Sequence, residues 1–378
     1  MTLSAYVHIP FCSHKCDFCD FAAFAGLDHL ASEYCRIVES EIEQRLESQP
    51  VTAPLSSIFY GGGTPGLIDP QLLKIIHDKL MESLKPSKQM EITLETTPHS
   101  VTIEKAKSWL ALGINRLSIG VESFSDAELQ AIGRDHSRAQ AFTGINNAVA
   151  AGFTNVSCDL MYALPTQTIE GWKESLNDLL ALAGKLPQIK HFSAYGLQLA
   201  QNSPLFSRFP KASPDYPSDD LYGQMYDLLV EEAAKAGFDQ YEVSNFCRPG
   251  FQSTHNLSYW NNEEYLAFGV SAHRYQNGVR SSNWRSLSKY MADPLGSEIY
   301  EVITPEMRLS ECIMLGLRKR TGIDLVAFES EFGFRLQEEK QKAVKKLLQG
   351  GFISLTEDRL FLTQKGVPVS NSIIAELI

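Results

Sequence analysis

The sequence predicts an α/β fold, a parallel sheet wound with helices into a partial or full (β/α)6 TIM-like barrel, followed by a smaller α+β winged-helix-like module. Three observations predict it. Six short apolar runs alternate with five amphipathic helical stretches between residues 5 and 199, the pattern of repeated βαβ units. Asp-Pro and Gly residues punctuate the ends of those stretches. A length of 378 residues is long for one domain and suits a large domain with a smaller companion.

The first strand is read at Ala5–Ile9. The helix after it runs from about Asp28 to Ser48, with Leu30, Tyr34, Ile37, Val38, Ile42 and Leu46 on one face. The second strand, Ser57–Tyr60, leads to a helix opened by Asp69 as N-cap and Pro70 at the first helical position. Strands follow at Glu91–Glu95, Arg116–Glu122, Val156–Ala163 and His191–Leu199. The intervening helices are Ile103–Leu112, Ala139–Ala151 and Ile169–Ala183, with Gly113 and Gly152 stopping the first two. In such folds chemistry gathers at the carboxyl ends of the strands.

Beyond Leu199 the rhythm changes. Residues 202–218 are rich in Pro and Ser and read as a loop. A helix, Asp219–Ala236, and a strand, Gln240–Phe246, extend the sheet. HNLSYWNNEEY then opens a Gly- and Tyr-containing stretch to Gly278. From about Pro305 the pattern is helical and closes on a hairpin, GGFISLTEDRLFLTQKG, as in a winged helix. The expected division is a barrel core over 1–200, a sheet extension over 201–300 and the C-terminal module over 301–378.

A net charge of -11 argues against a nucleic-acid backbone as main partner, and the mixed charge of the winged segment favours packing or partner docking over DNA binding. No apolar run approaches the roughly 20 residues that span a bilayer. Met1–Ala5 is too short to hold a signal peptide before the first cysteine, so the expected location is the cytoplasm. There a disulfide framework is not expected. Cys35, Cys158, Cys247 and Cys312 are scattered and read as buried small hydrophobes.

Cys12, Cys16 and Cys19 are different: they are spaced C-x3-C-x2-C directly after the first strand. Thiolates hold soft metals and iron–sulfur clusters. A structural zinc site wants four ligands, and His8 or His14 offers a fourth. Three cysteines on a [4Fe-4S] cluster leave one iron open to a small molecule. FYGGGTPGLI follows the second strand, either as a tight turn or as backbone stripped of Cβ atoms for close approach to a ligand. It is not a P-loop. Side-chain alternation puts Glu95, Glu122 and Asp159 on the polar face of three successive strands, opposite Leu94, Val121 and Leu160. Buried carboxylates need partners, and Arg116, Arg134 or a cationic ligand would serve. An internal ion-pair network is the plain alternative.

The cysteine spacing resembles that of radical S-adenosylmethionine (SAM) enzymes. Together with YVHIPFC, GGGTP, LETTP, RLSIGVESF, LGINRLSIG and DLMYALPTQT, it resembles one subgroup from Tyr6 to the C-terminus. That subgroup holds the oxygen-independent coproporphyrinogen III oxidases and the HemW-type heme chaperones. The resemblance implies a [4Fe-4S] cluster on Cys12, Cys16 and Cys19, and SAM contacts at Tyr6, Gly62, Gly63, Thr64, Glu95, Glu122, Arg134 and Asp159. It implies that SAM chelates the open iron and is cleaved by the reduced cluster to a 5′-deoxyadenosyl radical. Two positions depart from the subgroup: Glu122 stands where Gln is usual, and Ala163 where Gly is usual before Leu164-Pro165.

Within the subgroup, the oxidases carry a fourth cysteine two residues after the third, where this chain has Phe21. They also carry a sizeable extension before the tyrosine that is here Tyr6. The chaperones read C-D-F, as here at Cys19-Asp20-Phe21, and carry H-N-x-x-Y-W, here His255 to Trp260. An imidazole suits heme iron, so His255 is the expected heme ligand, with Tyr259 and Trp260 against the porphyrin. A histidine in a loop beside Tyr and Trp is also a common structural hydrogen-bonder. His191 and His273 are read as structural. The resemblance thus implies a heme chaperone that binds heme, a [4Fe-4S] cluster and SAM and passes heme to acceptor proteins. The alternatives are oxidative decarboxylation of coproporphyrinogen III and radical chemistry on another substrate. The sequence is silent on the acceptor, the electron donor, the oligomeric state and membrane association.

Overall fold

The computed structural model describes residues 3–201, 203–209, 213 and 215–378. Met1 and Thr2 of the short segment before the cysteines, and part of the expected 202–218 loop, lie outside them. The described part of that loop contains a short helix, Pro204–Arg208.

Six parallel strands form the centre: β1 (Leu3–Ile9), β2 (Leu55–Gly62), β3 (Pro86–Thr96), β4 (Arg116–Glu122), β5 (Val156–Tyr162) and β6 (Ile189–Gly196). They lie side by side in chain order, as βαβ winding requires. The sheet is open: β1 and β6 do not pair, so the barrel is partial. Beyond β1, Tyr265–Phe268 adds in parallel, then His273–Gln276, Val279–Ser282 and Ile299–Val302 in antiparallel order. Beyond β6, Asn245–Cys247 adds antiparallel and pairs in turn with Asp239–Gln240. The segment expected as one strand, Gln240–Phe246, is therefore a tight hairpin. Its central residues turn the chain, so apolar content alone misjudged the run.

The outward side chains of the strands meet the helices. Ala5, Val7 and Ile9 are fully buried with Tyr34, Val38 and Ile42 of the helix Ala31–Ser48. Trp109 and Trp172 anchor two later helices in the same core. Asp69 caps the helix Pro70–Ser83 by accepting from Gln71 N at 2.8 Å. Gly152 ends Arg138–Ala151 in the left-handed region, at φ 118°.

The inward side is polar. Ser57 donates to Ser4 at 2.8 Å and bonds His255 Nδ1 at 2.9 Å. His191 bridges Ser157 and Tyr241 at 2.8 and 2.9 Å. His255 sits on a helix, Thr254–Trp260, not in the expected loop. The carboxylate of Glu91 accepts from Ser253 Oγ, Thr254 N and His255 N, each at 3.1 Å, and holds that helix by its amino end.

The C-terminal segment packs the helices Pro305–Gly316, Leu325–Phe332 and Gln341–Gln349 against a three-stranded antiparallel sheet. The expected hairpin is present as Ile353–Leu355 and Arg359–Leu362, and Ile323–Asp324 completes the sheet. Among the described residues no helix is long and apolar enough to cross a membrane. Cys35, Cys158 and Cys247 are buried, as read, while Cys312 is half-buried.

Candidate cluster and cofactor site

The carboxyl ends of β1 to β5 surround one small cavity of about 140 Å³. Cys12, Cys16 and Cys19 line it together with Gly62, Gly63, Thr64, Glu95, Glu122, Arg134 and Asp159. Ten of the residues expected at the cluster and SAM are thus brought to one place by five separate segments.

The cysteine loop is tied down from several sides. Arg134 Nη1 donates to Cys16 Sγ at 3.2 Å, and Thr64 Oγ1 to Cys12 Sγ at 3.6 Å. Asp17 N donates to Ile132 O at 3.2 Å, Asp17 O accepts from Leu205 N at 3.0 Å, and its carboxylate pairs with Arg208. Burial pushes the Cys12 thiol up to about 11, and raises Cys16 and Cys19 as well. A metal centre would reverse this, since coordination deprotonates a thiol. Among the described residues the three cysteines do not form a group with all ligand atoms within 4.8 Å. One zinc ion needs them closer, at roughly 3.8 Å for a tetrahedron of 2.3 Å bonds. Three separated sulfur donors around a cavity fit the wider cluster.

Gly62 and Gly63 line the cavity and also make room for the chain packed beside them. A Cβ on Gly62, at φ 111°, would lie 2.5 Å from the His8 ring, and one on Gly63 would lie 2.7 Å from Pro10. Their missing side chains admit the first strand and its cysteine loop. Gly62 N then donates to Glu95 at 3.1 Å.

The three carboxylates meet as side-chain parity predicts. Burial, then repulsion from Asp159, pushes Glu95 up to about 8. Burial pushes Glu122 up to about 7, against the pull of Arg134. Burial also raises Asp159, although Ser118 donates to it at 3.0 Å. Of the two expected arginine partners, Arg134 lies 3.7 Å from Glu122 and donates to Gly120 O at 2.6 Å. Arg116 is buried beside Thr93 and makes no ion pair among the described residues. Three carboxyls with one paired arginine and the more distant charge of Arg116 form a site short of positive charge, which the sulfonium and ammonium of SAM would supply.

Ser118 lines the cavity and was missed, although it shares the polar parity of Glu122. A second signal was invisible in sequence. β4 bulges between Gly120 and Glu122, and Glu122 takes a left-handed backbone, φ 64°. Such bulges re-aim side chains next to functional sites.

Tyr6 and His255 lie elsewhere. Tyr6 faces a second cavity of about 460 Å³, shared with Phe21, Tyr259, His273 and Arg285. Phe21 lines both cavities and is 66% exposed. His255 lines neither cavity; it is 1% exposed, stacked on Phe59 at 5.0 Å, and both ring nitrogens are engaged. Nδ1 meets Ser57 and Nε2 meets Tyr259, each at 2.9 Å. Burial lowers it to about 3, so it is a neutral, satisfied interior histidine in this conformation.

The radical SAM superfamily model matches residues 6–179, and that of the HemN C-terminal domain matches 303–369. The heme chaperone HemW of Bacillus subtilis (strain 168) is 33% identical over 383 residues, covering 99% of each chain. The chain belongs to the HemW family of radical SAM proteins. The heme chaperone HemW of Lactococcus lactis is 34% identical, covering 99% of this chain and 97% of that one. Coproporphyrinogen III oxidase (HemN) of Escherichia coli superposes with a TM-score of 0.85 at 22% identity, over 100% of this chain and 90% of that one. At that identity the HemN likeness speaks for the fold, while full-length similarity places the chain with HemW. Membership of the radical SAM superfamily implies a [4Fe-4S] cluster and SAM, and the cavity residues fit both.

Proposed function

We propose that this protein is a heme carrier of the cytoplasm that binds heme, holds a [4Fe-4S] cluster and SAM, and passes heme to acceptor proteins. The observation that carries this reading is full-length similarity to proteins named heme chaperones, 33% identity over 99% of both chains. Phe21 supports it, because the oxidases carry a fourth cysteine at that place.

In this reading Cys12, Cys16 and Cys19 hold the cluster, and Arg134 screens the charge of the Cys16 thiolate. Gly62, Gly63 and Thr64 shape one wall for SAM, and Glu95, Glu122 and Asp159 balance its positive charges. Tyr6 backs this wall through its bond to His8 Nδ1, 3.1 Å. A bound cluster and SAM supply one-electron chemistry, which heme transfer does not require in principle.

The test uses one preparation. After anaerobic reconstitution, coproporphyrinogen III turnover and hemin binding are measured side by side. Hemin binding without decarboxylated product is expected. Formation of protoporphyrinogen IX would overturn the reading in favour of an oxidase.

A further inference from the structure

We propose that the second cavity is the heme site, with His273 as axial ligand to iron, Phe21 against the macrocycle and Arg285 at the propionates. This rests on the heme-carrier reading and names its site.

The argument is one of elimination among imidazoles. Three histidines lie at or beneath this cavity. His8 is held at both ring nitrogens, by Tyr6 OH at 3.1 Å and Ala22 O at 3.0 Å. His255 is buried and held at both nitrogens by Ser57 and Tyr259. His273 lines the cavity, is exposed, and makes no side-chain hydrogen bond among the described residues. Iron ligation needs a free imidazole nitrogen, and only His273 offers one here.

The rest of the cavity suits a flat apolar ring with two carboxylates. Its volume, about 460 Å³, falls within the usual range for bound organic ligands, about 300–1,000 Å³. Tyr6, Tyr259 and Tyr265 line the cavity with aromatic rings, the last two edge to face at 4.7 Å. Phe21, an aromatic ring left 66% exposed beside the cysteine loop, is a surface that a macrocycle would cover. Arg285 Nη2 bonds Asp20 O at 2.6 Å and Oδ1 at 3.1 Å, while its Nε and Nη1 make no bond among the described residues. Those donors match a carboxylate. Partial burial, then the neighbouring Arg280 and Arg285, lower His273, the direction that favours the neutral, ligating imidazole. The site also gives the HNLSYW segment a role without its histidine: Tyr259 reaches the cavity, and His255 orients Tyr259.

The reconstituted full-length protein is titrated anaerobically with hemin and, separately, with metal-free protoporphyrin IX. Wild type, His273→Ala, His255→Ala, Arg285→Ala and the remote control His29→Ala are compared, each checked by circular dichroism and iron content. His273→Ala is expected to weaken hemin binding about tenfold or more, equivalent to about 1.4 kcal/mol, and to move the Soret band. Added imidazole should restore that band, which a merely structural role would not permit. Metal-free protoporphyrin IX should be far less sensitive to His273→Ala, and Arg285→Ala should weaken both ligands. Wild-type affinity and spectrum in His273→Ala would overturn the site, as would a loss confined to a folded His255→Ala. His273→Gln repeats the test should the alanine variant lose its iron. Absence of hemin binding in wild type would overturn the heme reading itself, and this site with it.

Discussion

Glu122 combines two costs, a left-handed backbone at φ 64° and a buried carboxyl pushed up to about 7. Its proton linkage has a definite sign. The unfolded side chain titrates near 4.5, so the folded state binds the proton more tightly, and Glu122 loses stability as pH rises from about 4.5 to 7. Glu122→Gln removes that loss. In the protein without cluster and SAM, its stability gain over wild type should grow across that window and level off above it. The gain is at most roughly 3 kcal/mol, which thermal denaturation against pH would measure. A variant less stable than wild type at pH 8 would refute it. SAM affinity in wild type should rise through the same window, because the ionised carboxyl attracts the sulfonium, and the rise should be smaller in Glu122→Gln. Ala163 bears a related strain, with φ 58°. Ala163→Gly should stabilise the protein by about 0.5–1 kcal/mol, the left-handed penalty less the backbone entropy of glycine.

The helix Thr254–Trp260 owes its place to one residue on another element. Glu91, at the start of the buried part of β3, accepts three hydrogen bonds from its amino end. Bonds to a charged acceptor are worth about 1.5–3 kcal/mol each at most and are not additive. Glu91→Ala should therefore cost about 2–4 kcal/mol overall, read as a lower Tm, and loosen the Tyr259 wall. An unchanged Tm would show that the helix is held by packing alone. Periodicity could not find this helix, since seven residues span only two turns. Nor could it find the hairpin at 239–247, whose two strands have two and three residues. The six core strands and their helices were legible because each is long enough to express its period and is buried on both sides.

At the scale of the molecule, four other segments of the chain converge on the cysteine loop, and the loop is useful only as they hold it. Cys12→Ala, Cys16→Ala and Cys19→Ala should each abolish stable cluster incorporation, scored as iron and sulfide per chain after reconstitution. Cys35→Ala and Cys312→Ala should keep their iron, because neither lines the cavity. The Asp20–Arg285 pair ties the same loop to the sheet extension beyond β1, so the two cavities share a wall at Phe21. By itself the sequence determined the βα winding, the cysteine triplet, the glycine turn and the inward parity of three carboxylates. Those follow from local period and spacing, which each segment carries alone. Only the tertiary structure decided that Gly62 makes room for His8, that Glu122 sits on a bulge with a left-handed backbone, and that His255 is closed while His273 is open. Each of those depends on what another segment places within a few ångströms, and no local pattern encodes the neighbour that long-range packing supplies.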